Sequence, residues 1–225
     1  YRSISSLKTL PHSYYLIDNE NEMRELCQKF LSSDFLSLDT ETTSTDAINA
    51  ELVGLSFSIQ EFEAFYIPIP PEREKAQKIV DIFKPAYECE NLKIGQNIKY
   101  DILVLRNYGV RVGGKLWDTM VAHYILQPEL PHNMDSLAEK YLDYSTIKIE
   151  ELIGPKGKNQ KNMRELLPQN IYEYACEDAD VTLRLQNVLK PELAKAKMEN
   201  LFNDVEMPLV NVLVEMEENG VSIDT

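Results

Sequence analysis

Residues 35–44 read FLSLDTETTS and place two carboxylates directly after a short apolar segment. The residues before Asp39 have the character of a buried strand, and side chains two apart in a strand share a face. Asp39 and Glu41 should therefore point into one small volume. At an effective dielectric constant near 20 and a separation of about 5 Å, the two charges repel by about 3 kcal/mol. We therefore expect a cation to compensate them.

The composition indicates a soluble globular protein. A chain of 225 residues with 44% hydrophobic and 27% charged residues can form one sizeable α/β domain and part of a second. No apolar run has the length of a membrane span and no signal peptide opens the chain, so we expect a cytoplasmic monomer without a membrane partner. The first residue is Tyr1, which favours a piece of a longer protein. Three widely spaced cysteines indicate reduced thiols.

The net charge of −14 argues against a free-standing nucleic-acid-binding protein, because phosphate binding usually leaves a basic footprint. If the substrate is a nucleic acid, metal ions or a neighbouring domain must supply positive charge. The one local basic cluster is the glycine-containing loop 153–162, and a solvated loop is its commoner interpretation.

Apolar periodicity predicts strands early in the chain and helices later, a pattern typical of an α/β fold around a mixed sheet. Residues 1–13 are predicted to form a linker. The predicted strands cover residues 14–17, 35–39, 52–59, 64–69 and 92–96, and the predicted helices cover the segment from Asn19 to Leu31 and residues 72–87, 98–108, 118–127, 135–143 and 169–190. The strands at 52–59 and 64–69 should form an antiparallel pair.

Two more acidic positions could join Asp39 and Glu41. Asp101, in IGQNIKYD, falls in the first turn of a helix that follows a strand, the edge where α/β sheets place their sites. Tyr174 and Asp178 are four residues apart and share one helix face. Four acids at one place would suit hard divalent cations, which prefer oxygen ligands. Two such ions about 4 Å apart promote in-line displacement at phosphorus.

Each feature alone has a simpler interpretation. The Asp39 and Glu41 pair could be a solvated strand end, and Asp101 could serve only the helix dipole. Tyr174 alone is more often a core aromatic, and Asp180 with Arg184 has the spacing of an ordinary ion pair. The three histidines lie away from these motifs in the sequence, so we assign them no role in the site.

The order DTET, GQNIKYD, YACEDAD resembles the three exonuclease motifs of the 3′→5′ proofreading domain of bacterial DNA polymerase I, a ribonuclease H-like exonuclease of the tyrosine subtype. The resemblance runs from about residue 14 to the C-terminus. It implies an exonuclease domain at residues 14–196. It also implies that residues 197–225, which include VEMPLVNVLVEMEENGVSID, form the helical start of a polymerase domain.

The resemblance implies a role for each matching residue. Asp39 would bridge two divalent ions, Mg²⁺ with Mn²⁺ or Zn²⁺ as alternatives. Glu41 and Asp178 would complete the first ion's site, and Asp101 would hold the second ion through water. Tyr174 and Glu41 would orient the attacking water. The reaction would hydrolyse the terminal phosphodiester of single-stranded DNA and release deoxynucleoside monophosphates.

The same resemblance implies a set of residues that bind the substrate. Gln96, Asn97 and Tyr100 would lie beside the 3′-terminal nucleotide. Met134 would contact the strand, and Thr40 belongs to the same set. The remainder of the polymerase chain is the implied protein partner.

Two positions depart from the better-known relatives. Thr45 stands where they have a leucine that wedges against the terminal base, and Ile149 stands where they have a phenylalanine near the strand. Because stacking of a base on an aromatic ring contributes about 1–3 kcal/mol, we expect a weaker grip on the single strand and a higher KM.

Three other functions fit part of the pattern. An exoribonuclease of the ribonuclease D type shares the carboxylates, although the C-terminal block favours a polymerase. A non-catalytic exonuclease-like scaffold should have lost acids that are present here. A general acidic interaction module does not explain three motifs in order.

Overall fold

The computed structural model describes residues 4–222. The parts of the linker and polymerase-start predictions that fall on residues 1–3 and 223–225 lie outside the described residues. The strands are β1 (Ser5–Ser6), β2 (Ser13–Leu16), β3 (Phe35–Thr42), β4 (Leu52–Gln60), β5 (Glu63–Pro68), β6 (Leu92–Gly95), β7 (Leu116–Asp118) and β8 (Tyr144–Ser145). The helices are α1 (Glu20–Leu31), α2 (Arg73–Glu88), α3 (Ile98–Arg106), α4 (Thr119–Leu126), α5 (Met134–Leu142), α6 (Ile149–Ile153), α7 (Pro168–Lys195), α8 (Glu199–Leu201) and α9 (Met207–Asn219).

A six-stranded mixed sheet in the order β2-β5-β4-β3-β6-β7 forms the centre of the molecule. β3 pairs antiparallel with β4 and parallel with β6, so it lies inside the sheet. The antiparallel β4–β5 pair is confirmed. The predicted mixed α/β fold is therefore confirmed, and the sheet holds Asp39 and Glu41 on an interior strand.

Helices cover the sheet on both faces. Phe30 of α1 and Phe83 of α2 contact Phe57 of β4, with ring centroids 4.9 and 5.2 Å from it. The long helix α7 packs across β2, β3, β4 and β5, and its Ala175 and Cys176 cluster with Tyr66. Because aromatic and aliphatic side chains fill both interfaces, sheet and helices form rigid supports for the side chains at their edges.

Some boundaries differ from the sequence prediction. β3 runs to Thr42 because β4 stays paired with it beyond Glu41, with a register shift after that residue. The short edge strand β7 was not predicted, since three residues give too little periodicity. β1 falls in the predicted linker and pairs with β8. α7 continues past Pro191 to Lys195, because buried Leu189 and Leu193 hold its last turns against the core.

The C-terminal segment packs against α3 and β7. α8 leads directly into a π-helical stretch, Phe202–Glu206, which leads directly into α9. The Phe202 ring contacts Trp117 at 4.9 Å between centroids. Arg106 of α3 binds Glu215 and Glu218 of α9, each at 2.7 Å. Aromatic packing and ion pairs thus join this segment to the α/β body.

Two further predictions concern membrane-spanning segments and the cysteine thiols. Within residues 4–222, none of the helices combines the length and the apolar character that crossing a membrane requires. Cys27, Cys89 and Cys176 all carry free thiols, as predicted.

Gly54 gives a test of the packing beneath β3. It lies opposite Glu41 in the β3–β4 register, and a Cβ at this position would meet the Tyr66 ring at 2.1 Å. Tyr66 is fully buried, so moving its ring would disturb the packing around it. We expect Gly54→Ala to lower the free energy of unfolding by about 1–3 kcal/mol, measured by urea denaturation. In a Tyr66→Leu background, Gly54→Ala should lower the free energy of unfolding by less than it does in the wild type. An equal decrease in both backgrounds would contradict the steric explanation.

Candidate metal centre

Three of the predicted acids converge. Asp39 and Glu41 come from β3 and Asp178 comes from α7, and one carboxylate oxygen of each lies within 4.8 Å of the other two. The two-residue spacing in the strand puts the first two side chains on one face. Since α7 packs directly on β3, it brings the third carboxylate to the same point. The side chains form a compact, oxygen-only set of ligands.

Burial raises the pKa of each of these carboxyl groups. The pKa of Asp39 rises to about 7 because of desolvation. Desolvation raises the pKa of Glu41 and Asp178 as well, and the neighbouring charge of Asp39 adds to the effect in both. Buried like charges disfavour the ionised state unless a cation is present.

The donor set fits a divalent cation. Glu41 is 6% exposed, and its Oε1 is buried without a hydrogen-bond partner among the described residues. An unpaired buried carboxylate oxygen is costly, whereas Mg²⁺ and similar hard cations bind such oxygens. Asp39, Glu41 and Asp178 can therefore hold a metal ion.

Tyr174 lies one helical turn before Asp178, and its hydroxyl is close to that carboxylate. Burial, and then the charge of Asp178, raises the pKa of the Tyr174 hydroxyl far above its usual value. The hydroxyl therefore stays protonated and can act as a hydrogen-bond donor. The predicted pairing of Tyr174 and Asp178 on one helix face agrees with this geometry.

Asp101 lies beside the three carboxylates but does not belong to the group that meets within 4.8 Å. It is in the first turn of α3, as predicted, and only 2% exposed. Burial, and then the charge of Asp39, raises its pKa. The Thr40 hydroxyl, which the resemblance assigned to substrate binding, donates to Asp101 Oδ1 at 2.7 Å. Thr40 thus holds Asp101 next to β3.

Of the other predicted substrate-binding residues, three line a common cavity, whereas Met134 and Ile149 do not line it. Thr45, Asn97 and Tyr100 line one cavity of about 330 Å³. Met134 is the first residue of α5 and packs on the core, and Ile149 opens α6 with 37% of its side chain exposed.

A family model described as 3′–5′ exonuclease matches residues 14–194. The chain belongs to the 3′–5′ exonuclease family. DNA polymerase I of Borreliella burgdorferi is 34% identical over 98% of the chain and 24% of that protein. DNA polymerase I of Pseudomonas aeruginosa is 40% identical over 88% of the chain and 23% of that protein. The exonuclease chain thus spans about a quarter of the length of these curated relatives.

Solved nucleases share the fold. Brucella melitensis NrnC with bound Mg²⁺ superposes with a TM-score of 0.70 at 19% identity, covering 96% of this chain and 99% of that one. Escherichia coli RNase D, described as an exoribonuclease involved in structured RNA processing, superposes with a TM-score of 0.71 at 18% identity, covering 91% of this chain and 51% of that one. The predicted ribonuclease H-like fold of the exonuclease is confirmed.

Asp118 positions α3, and the sequence analysis of the exonuclease missed it. This carboxylate is 2% exposed at the end of β7. It accepts from the backbone N–H groups of Asn97 and Ile98 at the start of α3, at 3.2 and 2.8 Å. It also accepts from Met120 and Val121 at the start of α4. The position of an acid between a strand and a helix, in WDTM, was the available signal.

The Asp180–Arg184 pair is not an ordinary surface ion pair. The carboxylate and guanidinium are 3.6 Å apart and almost completely buried. Asp180 also accepts from the Tyr14 hydroxyl at 2.8 Å and the Phe62 N–H at 2.6 Å. These contacts tie α7 to β2 and to the β4–β5 turn. The helical spacing showed the pairing, but the burial depends on tertiary contacts.

Two histidines lie nearer to the predicted motifs than their sequence positions indicated. His123 Nδ1 and His132 Nδ1 are 2.7 Å apart, and the backbone oxygen of His132 accepts from Gln96 Nε2 at 2.7 Å. The Gln96 side chain also bonds the Thr119 hydroxyl. The histidine pair thus helps to fix the loop before α5 against the GQNIKYD motif.

His123 gives a pH-dependent prediction. Burial, and then the charges of His132 and Lys140, lowers its pKa from 6.5 to about 4. Between these pH values His123 is protonated in the unfolded chain but neutral in the folded chain. The contribution of neutral His123 to stability is therefore complete above about pH 6.5 and is lost as the pH falls towards 4. In urea denaturation, we expect the stability advantage of the wild type over His123→Asn to shrink across this range. A difference that is independent of pH would contradict the assignment.

Proposed function

We propose that the chain hydrolyses the 3′-terminal phosphodiester of single-stranded DNA and releases deoxynucleoside monophosphates, as the proofreading part of a DNA polymerase I. The observation that carries the proposal is the meeting of Asp39, Glu41 and Asp178 oxygens within 4.8 Å. The identities to DNA polymerase I relatives support the polymerase context. In this proposal residues 14–196 are the exonuclease domain, and residues 197–225 begin the polymerase domain after a linker at 1–13.

The carboxylates have distinct roles in the proposal. Glu41 and Asp178 would hold one divalent ion, Asp101 would hold a second, and Asp39 would contribute to both sites. Bound Mg²⁺ or Mn²⁺ supplies the positive charge that lowers the pKa of the attacking water and stabilises the leaving oxygen. The raised pKa values of all four acids support this assignment, since a cation would restore their ionised state.

Tyr174 and Glu41 orient the attacking water. The protonated Tyr174 hydroxyl is a donor beside Asp178, and Glu41 Oε1 is an acceptor without another partner among the described side chains. A donor and an acceptor fixed near one point hold a water molecule in a single orientation. Such positioning lowers the entropic part of the barrier.

The substrate end lies beside the start of α3. Thr45, Asn97 and Tyr100 surround the 330 Å³ cavity, and the Tyr100 hydroxyl bonds Thr42 Oγ1 at the end of β3. This places the cavity next to the strand that carries Asp39. Gln96 precedes α3 and donates to the backbone oxygen of His132, two residues before Met134 at the start of α5.

We propose DNA and not RNA as the substrate because the sequence relatives are DNA polymerases, whereas the likeness to RNase D reflects the fold alone. Rates of degradation on matched DNA and RNA single strands test this choice. A faster rate on RNA would favour the ribonuclease alternative, and no hydrolysis of either strand would favour a scaffold role.

Removing a metal ligand should abolish the reaction. We expect Asp39→Asn and Asp178→Asn each to lower the rate of 3′-end degradation by orders of magnitude, because each removes an ionised oxygen from the shared site. EDTA should have the same effect on the wild type, and excess Mg²⁺ or Mn²⁺ should restore it. Glu51→Gln removes an exposed carboxylate outside the cluster and serves as the control. Equal rates in the control and the ligand variants would contradict the proposal.

The departures at Thr45 and Ile149 predict a high KM. We expect the double variant Thr45→Leu/Ile149→Phe to lower KM on an oligothymidylate with kcat little changed, because a ring provides about 1–3 kcal/mol of stacking with a base. Ile149→Leu adds no ring and is the matched control. An unchanged KM in the double variant would remove this explanation.

A further inference from the structure

The cavity beside Thr45, Asn97 and Tyr100 has one wall from the C-terminal segment. Glu217 of α9 lines it together with Lys99 of α3. The Lys99 ammonium binds the Glu217 carboxylate directly. Among the described residues that line the cavity, Lys99 is the only one with a positive charge. The cation best placed to meet a phosphate is therefore already paired.

This ion pair is open to exchange. The Lys99 and Glu217 side chains are 30% and 44% exposed. Partly exposed pairs contribute little to stability because water and salt compete for both charges. A phosphate that enters the cavity can therefore replace the carboxylate as the partner of Lys99.

Glu217 stays near the cavity even when Lys99 changes partner. Arg106 holds the neighbouring Glu215 and Glu218 at 2.7 Å, and the Arg106 side chain is only 12% exposed. These two ion pairs, in which the Arg106 side chain is mostly buried, fix α9 against α3. A displaced Glu217 would thus remain close to the incoming phosphate and repel it.

We propose that Glu217 competes with a backbone phosphate of single-stranded DNA for Lys99, and so sets the affinity of the chain for its substrate. The inference rests on the proposed function, because it takes the cavity as the place of the strand end. It identifies Glu217, a residue outside the three motifs, as a determinant of binding and not of chemistry.

The test measures binding separately from hydrolysis. Fluorescence anisotropy gives the Kd of a labelled oligothymidylate with phosphorothioate linkages, in Mg²⁺, for the full chain. We expect Glu217→Gln to lower Kd about two- to fivefold, the range of an exposed ion pair. The slope of log Kd against log salt should steepen by about 0.7, as expected for one additional phosphate contact.

Glu218→Gln is the matched control, since it removes the same charge from the same helix, but its partner Arg106 does not line the cavity and keeps its bond to Glu215. Its Kd should change less than that of Glu217→Gln. In a Lys99→Gln background, adding Glu217→Gln should not lower Kd. Equal gains from Glu217→Gln and Glu218→Gln, or a full gain without Lys99, would overturn the inference.

Hydrolysis of unmodified oligothymidylate by the wild type separates the two proposals. A wild type that binds but does not hydrolyse contradicts the proposed function while the Kd comparison still decides the role of Glu217. A wild type that hydrolyses, with a Kd unaffected by Glu217→Gln, overturns only the role of Glu217. Absence of binding in every variant overturns the inference.

Discussion

Desolvation of the clustered carboxylates, with their mutual repulsion added to it, is the main energetic cost at the end of β3. The interactions that shift the pKa values of Asp39, Glu41 and Asp178 include none from a cation of the described residues. The fold holds them together because β3 is paired on both sides and α7 is packed across it. Backbone pairing and apolar packing thus hold these carboxylates together, and a bound cation would relieve their repulsion.

The elements that hold this site also explain the buried charges elsewhere on α7. Asp180 connects the helix to Tyr14 and Phe62, and Glu177 accepts from the Tyr144 hydroxyl at 2.6 Å and the Ile147 N–H at 2.6 Å. These contacts fix both the rotation and the position of α7. A one-residue rotation of the helix would turn Asp178 away from β3, so Glu177 and Asp180 determine where this candidate metal ligand lies.

Much of the candidate site could be predicted from local periodicity. Two-residue spacing placed Asp39 beside Glu41, four-residue spacing placed Tyr174 beside Asp178, and a strand followed by a helix start placed Asp101 at the correct edge. Local periodicity carries no information about which elements meet in space. The bond of Asp118 to the start of α3, the burial of Asp180 and the histidine contact depend on how the elements pack, so local periodicity could not predict them.

The carboxylate of Asp118 binds the first N–H groups of both α3 and α4. The starts of the two helices are therefore anchored on one buried carboxylate. Since α3 carries Asp101 while α4 carries His123, the candidate metal centre and the histidine contact depend on the same side chain for their positions. A neutral replacement of that side chain should loosen both places at once.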